Sequence, residues 1–440
     1  MSDEQRVNLL IRNANVVWPE QEMNVRANVL VRDGVLEGLG PDVECTDLPE
    51  LDGERLLVTP ALVDIHVHFR VPGQEHKENF ITGAAAAAAG GFGSVVCMPN
   101  TIPAIDNAAL ARAVLARAAE ESPYVKVFLL GAATVGNKCE ELTDYAGLKA
   151  AGCLAVTDDA FAVQDEGLMR RALERCAECG ILFVSHAEDY ELTGDGIIHD
   201  GWAARRMGIP GIPSAAEAVA VERNARLAQE TGARLHLMHL SAAESVEHVR
   251  RAKAAGVALS AEVTPHHLAL TEEVVVAQGP NAKMNPPLRS EEDRQALREA
   301  LADGTIDIVA TDHAPHTPQE KQRGIVEAPF GVIGLETAMA VCYTELVETG
   351  LMSLEDLVAR FTTRPAEIIG IEPHGLRVGQ GASLAVFERG SFVVDESWIK
   401  SNGRNSPFFG YTARLRPLAT VLRGVYRYRR PLGGDGGEDV

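Results

Sequence analysis

The sequence predicts an α/β protein, a (β/α)8 TIM-like barrel with a small flanking β domain built from both termini. Three observations point there. The middle of the chain alternates apolar strand-like runs with helical stretches eight times over. The two ends have instead a short-strand, turn-rich texture. The residues that close the central strands are repeatedly His or Asp, and in such a barrel all strand ends of one kind meet on the face that carries active sites.

Bulk properties set the bounds. A chain of 440 residues could hold about three average domains, although barrels of this kind often reach that size alone. Apolar residues make up 46% and charged residues 23%, as in an ordinary globular protein. A net charge of -21 disfavours nucleic acid and anionic membrane surfaces as partners. An anionic substrate would need local positive charge to bind. The opening "MSDEQRVNLLIRNANVV" is too acidic and too short of apolar length for a signal peptide. No run approaches 18 apolar residues, so no membrane span is expected. Seven scattered cysteines, an odd number, suit a reducing cytoplasm rather than a disulfide framework. The one CxxC, "RCAECG", lies in a helical stretch and reads as structural.

Residues 1–58 form the first part of the small β domain, with "VNLLIRNANVV", "ANVLVRDGVLEGLG" and "RLLVTP" as strands and "RDG" as a hairpin turn. Residues 59–372 form the barrel. Its strands are "LVDIHVHF", "FGSVVCMPN", "VKVFLLGA", "CLAVTDD", "ILFVSH", "RLHLMHL", "ALSAEVTP" and "DIVATDH". Helices separate most of them, among them 168–179, 215–230, 244–255 and 291–301. "TGAAAAAAGGFG" reads as a tightly packed helix with a glycine stop before the second strand. A doubly wound sheet is the alternative arrangement. Residues 373–430 return to β texture in "ASLAVFER", "SFVVD" and "ATVLRGVYRYRR", and 431–440 are expected to be a flexible tail.

In a strand alternate side chains share a face, so "DIHVHF" turns His66 and His68 to one side, a pairing that suits a divalent metal. The other reading is two polar residues at a barrel rim. Asp158 and Asp159 close the fourth strand, His186 the fifth, His239 the sixth and Asp312 the eighth. Five strand ends with such residues at one mouth outweigh the reading of each as a simple cap. Four histidines, a terminal aspartate and a central carboxylate exceed the needs of one tetrahedral ion and suit two metals sharing a bridge. The chemistry expected of such a pair is hydrolysis, or its reverse, at an amide-like carbon. His236 reads as packing or support, His266 and His267 as structural, and His76, His199, His248 and His374 as surface or loop residues.

The motifs "DIHVHFRVPGQEHKE", "VVCMPNT", "AVTDDA", "SHAED", "LHLMHLS", "AEVTPHHL", "KMNPPLR" and "ATDHAPH" resemble the dihydroorotases, in the bacterial type I group of the amidohydrolase superfamily. The resemblance runs from about residue 5 to 425. It implies reversible cyclisation of N-carbamoyl-L-aspartate to L-dihydroorotate in pyrimidine synthesis, through a metal-bridged hydroxide with Asp312 as general acid and base. It implies two Zn2+ ions, one on His66, His68 and Asp312, the other on His186 and His239. Many relatives bridge the metals with a carboxylated lysine. Here "TDDA" has none, and register with His186 favours Asp159 over Asp158 as the bridge. Arg70, Asn100, Asn285 and His316 match the family's substrate-binding positions. Val71, where Glu is usual, and Ala160, where Gly is common, depart from the pattern. A homo-oligomer is expected, and association with aspartate transcarbamoylase is a further partner the family suggests.

The segment from His313 to Glu336 joins Asp312 to a helix expected to start near Gly331, and its "EKQRG" is polar enough to move. It is expected to shield the site, with backbone near Phe330 and Gly331 touching the substrate ring. Three other readings compete: an allantoinase or hydantoinase, a non-catalytic dihydroorotase-like subunit, and a structural metalloprotein. The absent lysine and Arg70 beside the histidine pair argue against the first. Intact ligand positions argue against the second, and a carboxylate-binding arginine against the third.

Overall fold

The computed structural model describes residues 6–122 and 125–430. The expected tail at 431–440 lies outside the described residues. The chain opens with β1 (Leu9–Trp18), β2 (Met23–Arg32), β3 (Val35–Gly40), β4 (Glu50–Asp52) and β5 (Leu56–Pro60). Asp33 and Gly34 join β2 to β3 with φ of 48° and 80°, the two left-handed residues that a tight hairpin turn needs. That turn is the "RDG" signal of the sequence.

The central strands follow as β6 (Leu62–Val67), β7 (Phe92–Cys97), β8 (Lys126–Leu129), β9 (Gly131–Ala132), β10 (Ala155–Thr157) and β11 (Leu182–Ser185). A small parallel pair, β12 (Ile198–His199) and β13 (Gly211–Ile212), stands apart, and β14 (Leu235–Leu237), β15 (Leu259–Val263) and β16 (Ile308–Val309) complete the set. β6, β7 and β8 pair in parallel, and β9, β10, β11, β14, β15 and β16 form a second parallel run. β8 and β9 are one strand interrupted at Leu130. The Leu130 N–H reaches Cys97 O at 3.0 Å, and the Leu154 N–H reaches Leu129 O at 3.0 Å. At the other seam Val67 bridges His313 in parallel, and the His68 N–H donates to His313 O at 2.9 Å. Eight parallel strands therefore ring the centre, which is the predicted barrel rather than the doubly wound alternative.

Strands in such a ring are covered on both faces, so they read as continuous apolar runs. Val63, Ile65, Val96, Leu130, Val184, Met238 and Ile308 enter one buried cluster, while Leu62, Val95, Leu129, Phe183, Leu237 and Val263 enter another. Helices Phe80–Gly90, Ala108–Glu121, Glu166–Cys179, Ser214–Thr231, Ala243–Ala254 and Glu291–Asp303 lie between strands. The alanine-rich first helix is capped by Asn79, whose side chain accepts from the N–H groups of Ile81 and Thr82 at 3.0 Å. No helix among the described residues is long and apolar enough to cross a membrane.

The last strands, β17 (Leu384–Val393), β18 (Thr412–Leu422) and β19 (Val425–Arg429), join the first ones in a single sheet of order β19-β18-β17-β5-β1-β2-β3, with β4 on β1. The seam is β17 on β5, antiparallel from Leu384 opposite Pro60 to Glu388 opposite Leu56. Val16, Val29, Val58, Leu384 and Val421 share its core. Two expectations fail: His199 is neither a surface nor a loop residue but lies buried in β12, with Nδ1 3.2 Å from Arg289 Nη1, and the helix expected near Gly331 begins only at Ala338.

The packing of the first helix makes a test of sign. Alanine for Gly90 should stabilise an isolated helix by about 1 kcal/mol. A Cβ there would instead lie 2.1 Å from Leu335 O. Gly90→Ala is therefore expected to lower unfolding stability by about 1–3 kcal/mol, read from the denaturant midpoint. An unchanged or raised midpoint would contradict this packing.

Candidate active site

Five strand ends contribute the polar side chains of the cluster. His66 lies inside β6 and His68 just beyond it, with ring centroids 5.4 Å apart. Their Nε2 atoms stand 3.4 and 3.0 Å from Asp312 Oδ1. Asp159 follows β10, His186 follows β11 and His239 follows β14. Arg70, His239 and Asp312 have positive φ values of 61°, 33° and 46°. Non-glycine residues pay about 1–3 kcal/mol for such a backbone, and they concentrate at functional sites.

The six side chains converge and are buried. Donor atoms of His66, His68 and Asp312 lie within 4.8 Å of one another, and so do those of His66, Asp159 and His239. His186 Nδ1 is 3.0 Å from His239 Nε2 and 3.7 Å from Asp159 Oδ1. Asp159 Oδ2 is 3.6 Å from His68 Nε2, so this carboxylate stands between the two halves of the cluster. Asp158 faces elsewhere. Its carboxylate accepts the N–H groups of His186 at 2.8 Å and Val163 at 3.2 Å, and burial pushes its pKa up to about 6.

Outer partners hold three of the imidazoles. His66 Nδ1 meets Glu262 Oε1 at 2.6 Å, His68 Nδ1 meets Asn100 Oδ1 at 3.0 Å, and His186 Nε2 meets Glu188 Oε2 at 2.9 Å. In each ring this leaves the other nitrogen toward the cluster, the arrangement a metal ligand needs. His66 Nε2 is buried with no hydrogen-bond partner among the described residues. Burial disfavours a charged His66, yet Glu262 and then Asp312 overcome it and raise its pKa to about 10. Asp312 is opposed by burial but held well below the usual carboxylate range by His66 and His68. A cavity that draws a proton onto a buried imidazole is short of positive charge. Imidazole nitrogens, carboxylates and an unpartnered Nε2 together fit divalent cations.

Glu262 was not singled out in the sequence. It lies fully buried in β15, and its second oxygen accepts from His236 Nε2 at 3.0 Å. The available signal was an acid inside the apolar run "LSAEV", which no core accepts unpaired. Glu188 was quoted within "SHAED" without a role. It is buried and receives His186, Thr193 Oγ1 at 2.7 Å and Asn285 Nδ2 at 2.9 Å.

A second group lies beside the cluster. Arg70 is 9% exposed, with Nη2 3.3 Å from His316 Nε2. Among the described residues no carboxylate lies within ion-pair distance of it. Burial lowers its proton affinity, and Asp312 and Asp159 act in the opposite sense. His316 Nε2 is 2.7 Å from Phe330 O, and burial followed by Arg70 brings its pKa down to about 2, so the ring is neutral. Gly331 has φ of 128°, and a Cβ there would come within 2.8 Å of Ala314 Cβ and 3.1 Å of His316 Nε2. Arg70, His316, Phe330 and Gly331 thus form one wall. Asn100 instead joins the cluster, where its Nδ2 donates to Asp159 Oδ2 at 3.2 Å. Asn285 reaches the cluster through Glu188, which also holds His186.

Known proteins resemble this chain in sequence and in fold. The profile of the dihydro-orotase-like family matches residues 54–245, and that of the amidohydrolase family matches residues 202–428. The dihydroorotase of Citrifermentans bemidjiense is 43% identical over 425 residues, covering 96% of this chain and 100% of the relative. That of Geobacillus sp. (strain WCH70) is 44% identical over 401 residues, covering 91% and 94%. Among solved structures, the L-hydantoinase (dihydropyrimidinase) from Arthrobacter aurescens superposes with a TM-score of 0.81 at 26% identity, covering 95% of each chain. The dihydropyrimidinase from Brevibacillus agri NCHU1002 gives 0.79 at 22% identity, covering 96% and 95%, and shares the fold. A barrel closed around a buried His and Asp cluster, with relatives this similar across nearly its full length, belongs to the dihydroorotase family of the amidohydrolases.

Proposed function

We propose that this protein is a zinc-dependent dihydroorotase that interconverts N-carbamoyl-L-aspartate and L-dihydroorotate in pyrimidine synthesis. The observation that carries the reading is Arg70: a guanidinium buried beside the cluster that has, among the described residues, no carboxylate partner of its own. A substrate carboxylate completes it. The names of relatives more than 40% identical over most of the chain support the same activity. The likeness to hydantoinases is lower in identity and extends to the fold, so the hydantoinase reading is the weaker one.

Two zinc ions would be held by His66, His68 and Asp312 on one side and by His186 and His239 on the other, with Asp159 between them. Bound there, such ions polarise a carbonyl and make water acidic enough to attack near neutral pH. The remaining work belongs to the chain. In the hydrolytic direction Asp312 takes the proton of the attacking water and passes it to the leaving ring nitrogen. In the reverse direction it returns that proton. Arg70 grips the ring carboxylate through its fork of donors. Asn100, Asn285, neutral His316 and the backbone at Phe330 and Gly331 orient the ring. We also read residues 6–58 with 373–430 as one domain and 59–372 as the catalytic one; the single sheet joining β5 to β17 supports uniting the two ends, with β5 running on to Pro60.

Purified protein should turn over dihydroorotate, and chelation should abolish activity, with zinc restoring it. Full activity in rigorously metal-free protein would refute the zinc assignment. Asp159→Ala is expected to lose the metals and the activity together. Asp158→Ala should keep at least part of the metal but lower stability by about 1–3 kcal/mol, because two buried N–H groups lose their acceptor. Metal analysis and denaturation of both variants separate the roles, and loss of all metal in Asp158→Ala would reverse them.

Arg70→Met tests the substrate directly. Losing a buried charge-assisted contact should cost on the order of 2–5 kcal/mol, about 30-fold to several thousand-fold in kcat/KM. Metal content should not change. Dihydrouracil, which lacks the carboxylate, should be a poor substrate and insensitive to the substitution. Intact dihydroorotate turnover in the variant, or better turnover of dihydrouracil, would favour the hydantoinase reading.

A further inference from the structure

The loop after β16 was expected to be mobile around "EKQRG", yet Lys321 in it is buried. It ends the short helix Pro318–Lys321, and its Nζ donates to three carbonyls: Pro280 O at 2.9 Å, Pro329 O at 2.9 Å and Lys283 O at 3.3 Å. An ammonium has three protons, and here each has an acceptor. Two acceptors belong to the loop after β15, which continues through Lys283 to Asn285. The third immediately precedes Phe330. Lys283 answers in the opposite direction, with its Nζ donating to Val326 O at 3.0 Å and Ala328 O at 2.7 Å. The Gly331 N–H closes the join on Lys283 O at 3.0 Å.

Lys283 Nζ also lies 4.5 Å from the centroid of the Phe330 ring. A cavity of about 400 Å³ opens against this join, lined in part by Pro280, Asn281, His316, Pro318, Lys321 and Arg404. The two loops also share apolar packing, with Ala282 and Met284 of one in a buried cluster with Val332 and Ile325 of the other, so the carbonyls around Lys321 are the polar part of the join. On its other flank the loop is held by an ion pair of 2.8 Å between Glu320 and Lys77.

We infer that Lys321 is a positioning residue for the substrate pocket, fastening the loop that carries His316, Phe330 and Gly331 to the loop that carries Asn285. The inference rests on the proposed reading that these four residues bind substrate. Lys321 itself touches none of the reacting atoms. Without its ammonium, three carbonyls lose their common donor beside the cavity, and the wall adjoining the cluster loosens. Groups that hold the ring and its carboxylate set KM more than the chemical step, because they act alike on ground state and transition state.

The test compares the wild type with Lys321→Met and Lys321→Arg in the zinc-loaded full chain. Hydrogen exchange in the free protein should rise about tenfold or more in Lys321→Met across residues 279–285 and 322–331, and not elsewhere. KM for dihydroorotate should rise about 10- to 100-fold, with kcat within about threefold and metal content unchanged. Lys321→Arg keeps the charge and several donors and should fall between the two, which keeps the test readable if the methionine variant does not fold. Unchanged exchange in these segments overturns the fastening. Raised exchange with unchanged KM overturns the positioning role while leaving the proposed activity intact. A wild type that binds zinc but does not turn over dihydroorotate overturns the proposed activity and the substrate half of this inference, and the exchange result then stands alone.

Discussion

Everything at the mouth depends on closure of the strand ring between its first and last members. The Val67–His313 bridge and the bond from the His68 N–H to His313 O bring the end of β6 against the chain leaving β16. Without that seam His66 and His68 would be about 245 residues away from Asp312 along an open sheet's edges, with nothing to unite them. With it, both imidazoles meet the same carboxylate oxygen. Asp64 reinforces the seam from below, because its carboxylate accepts from Thr311 Oγ1 at 2.5 Å and from the His66 N–H at 3.0 Å.

Closure also creates the electrostatic problem that the site is built around. It buries Asp159, Asp312 and Glu262 among imidazoles, where each unpaired charge is costly. The outer acids resolve part of it by holding one nitrogen of His66 and His186. The inner face is left with nitrogen and oxygen donors pointing at one another, a set whose natural complement is a cation. Arg70 meets the opposite condition on the adjoining wall, as a buried cation awaiting an anion. The two halves together suit a substrate with a polarisable carbonyl at one end and a carboxylate at the other.

Much of this was legible in the sequence because a parallel barrel writes its plan linearly. Each apolar run marked a strand, and the polar residue after it marked a position at the mouth. The helices at 168–179 and 291–301 were found to within two residues of Glu166–Cys179 and Glu291–Asp303. Glu262 was hidden because it sits inside a strand, where the pattern of strand-end polarity does not look. His199 was misjudged because its burial comes from the side pair β12 and β13, which local polarity does not announce. The stretch "EKQRG" was expected to move because such polar residues usually face solvent, yet Lys321 within it is buried. Its burial depends on carbonyls supplied by a loop about 40 residues earlier, which no local pattern encodes.

Diffraction from crystals grown with zinc and dihydroorotate, with anomalous data at the zinc edge, tests the central claim most directly. Two anomalous peaks are expected to flank Asp159, one within bonding distance of His66, His68 and Asp312 and one of His186 and His239, with the ring carboxylate on Arg70. A single peak, a peak held by Asp158 or Glu262, or a carboxylate bound away from Arg70 would contradict it.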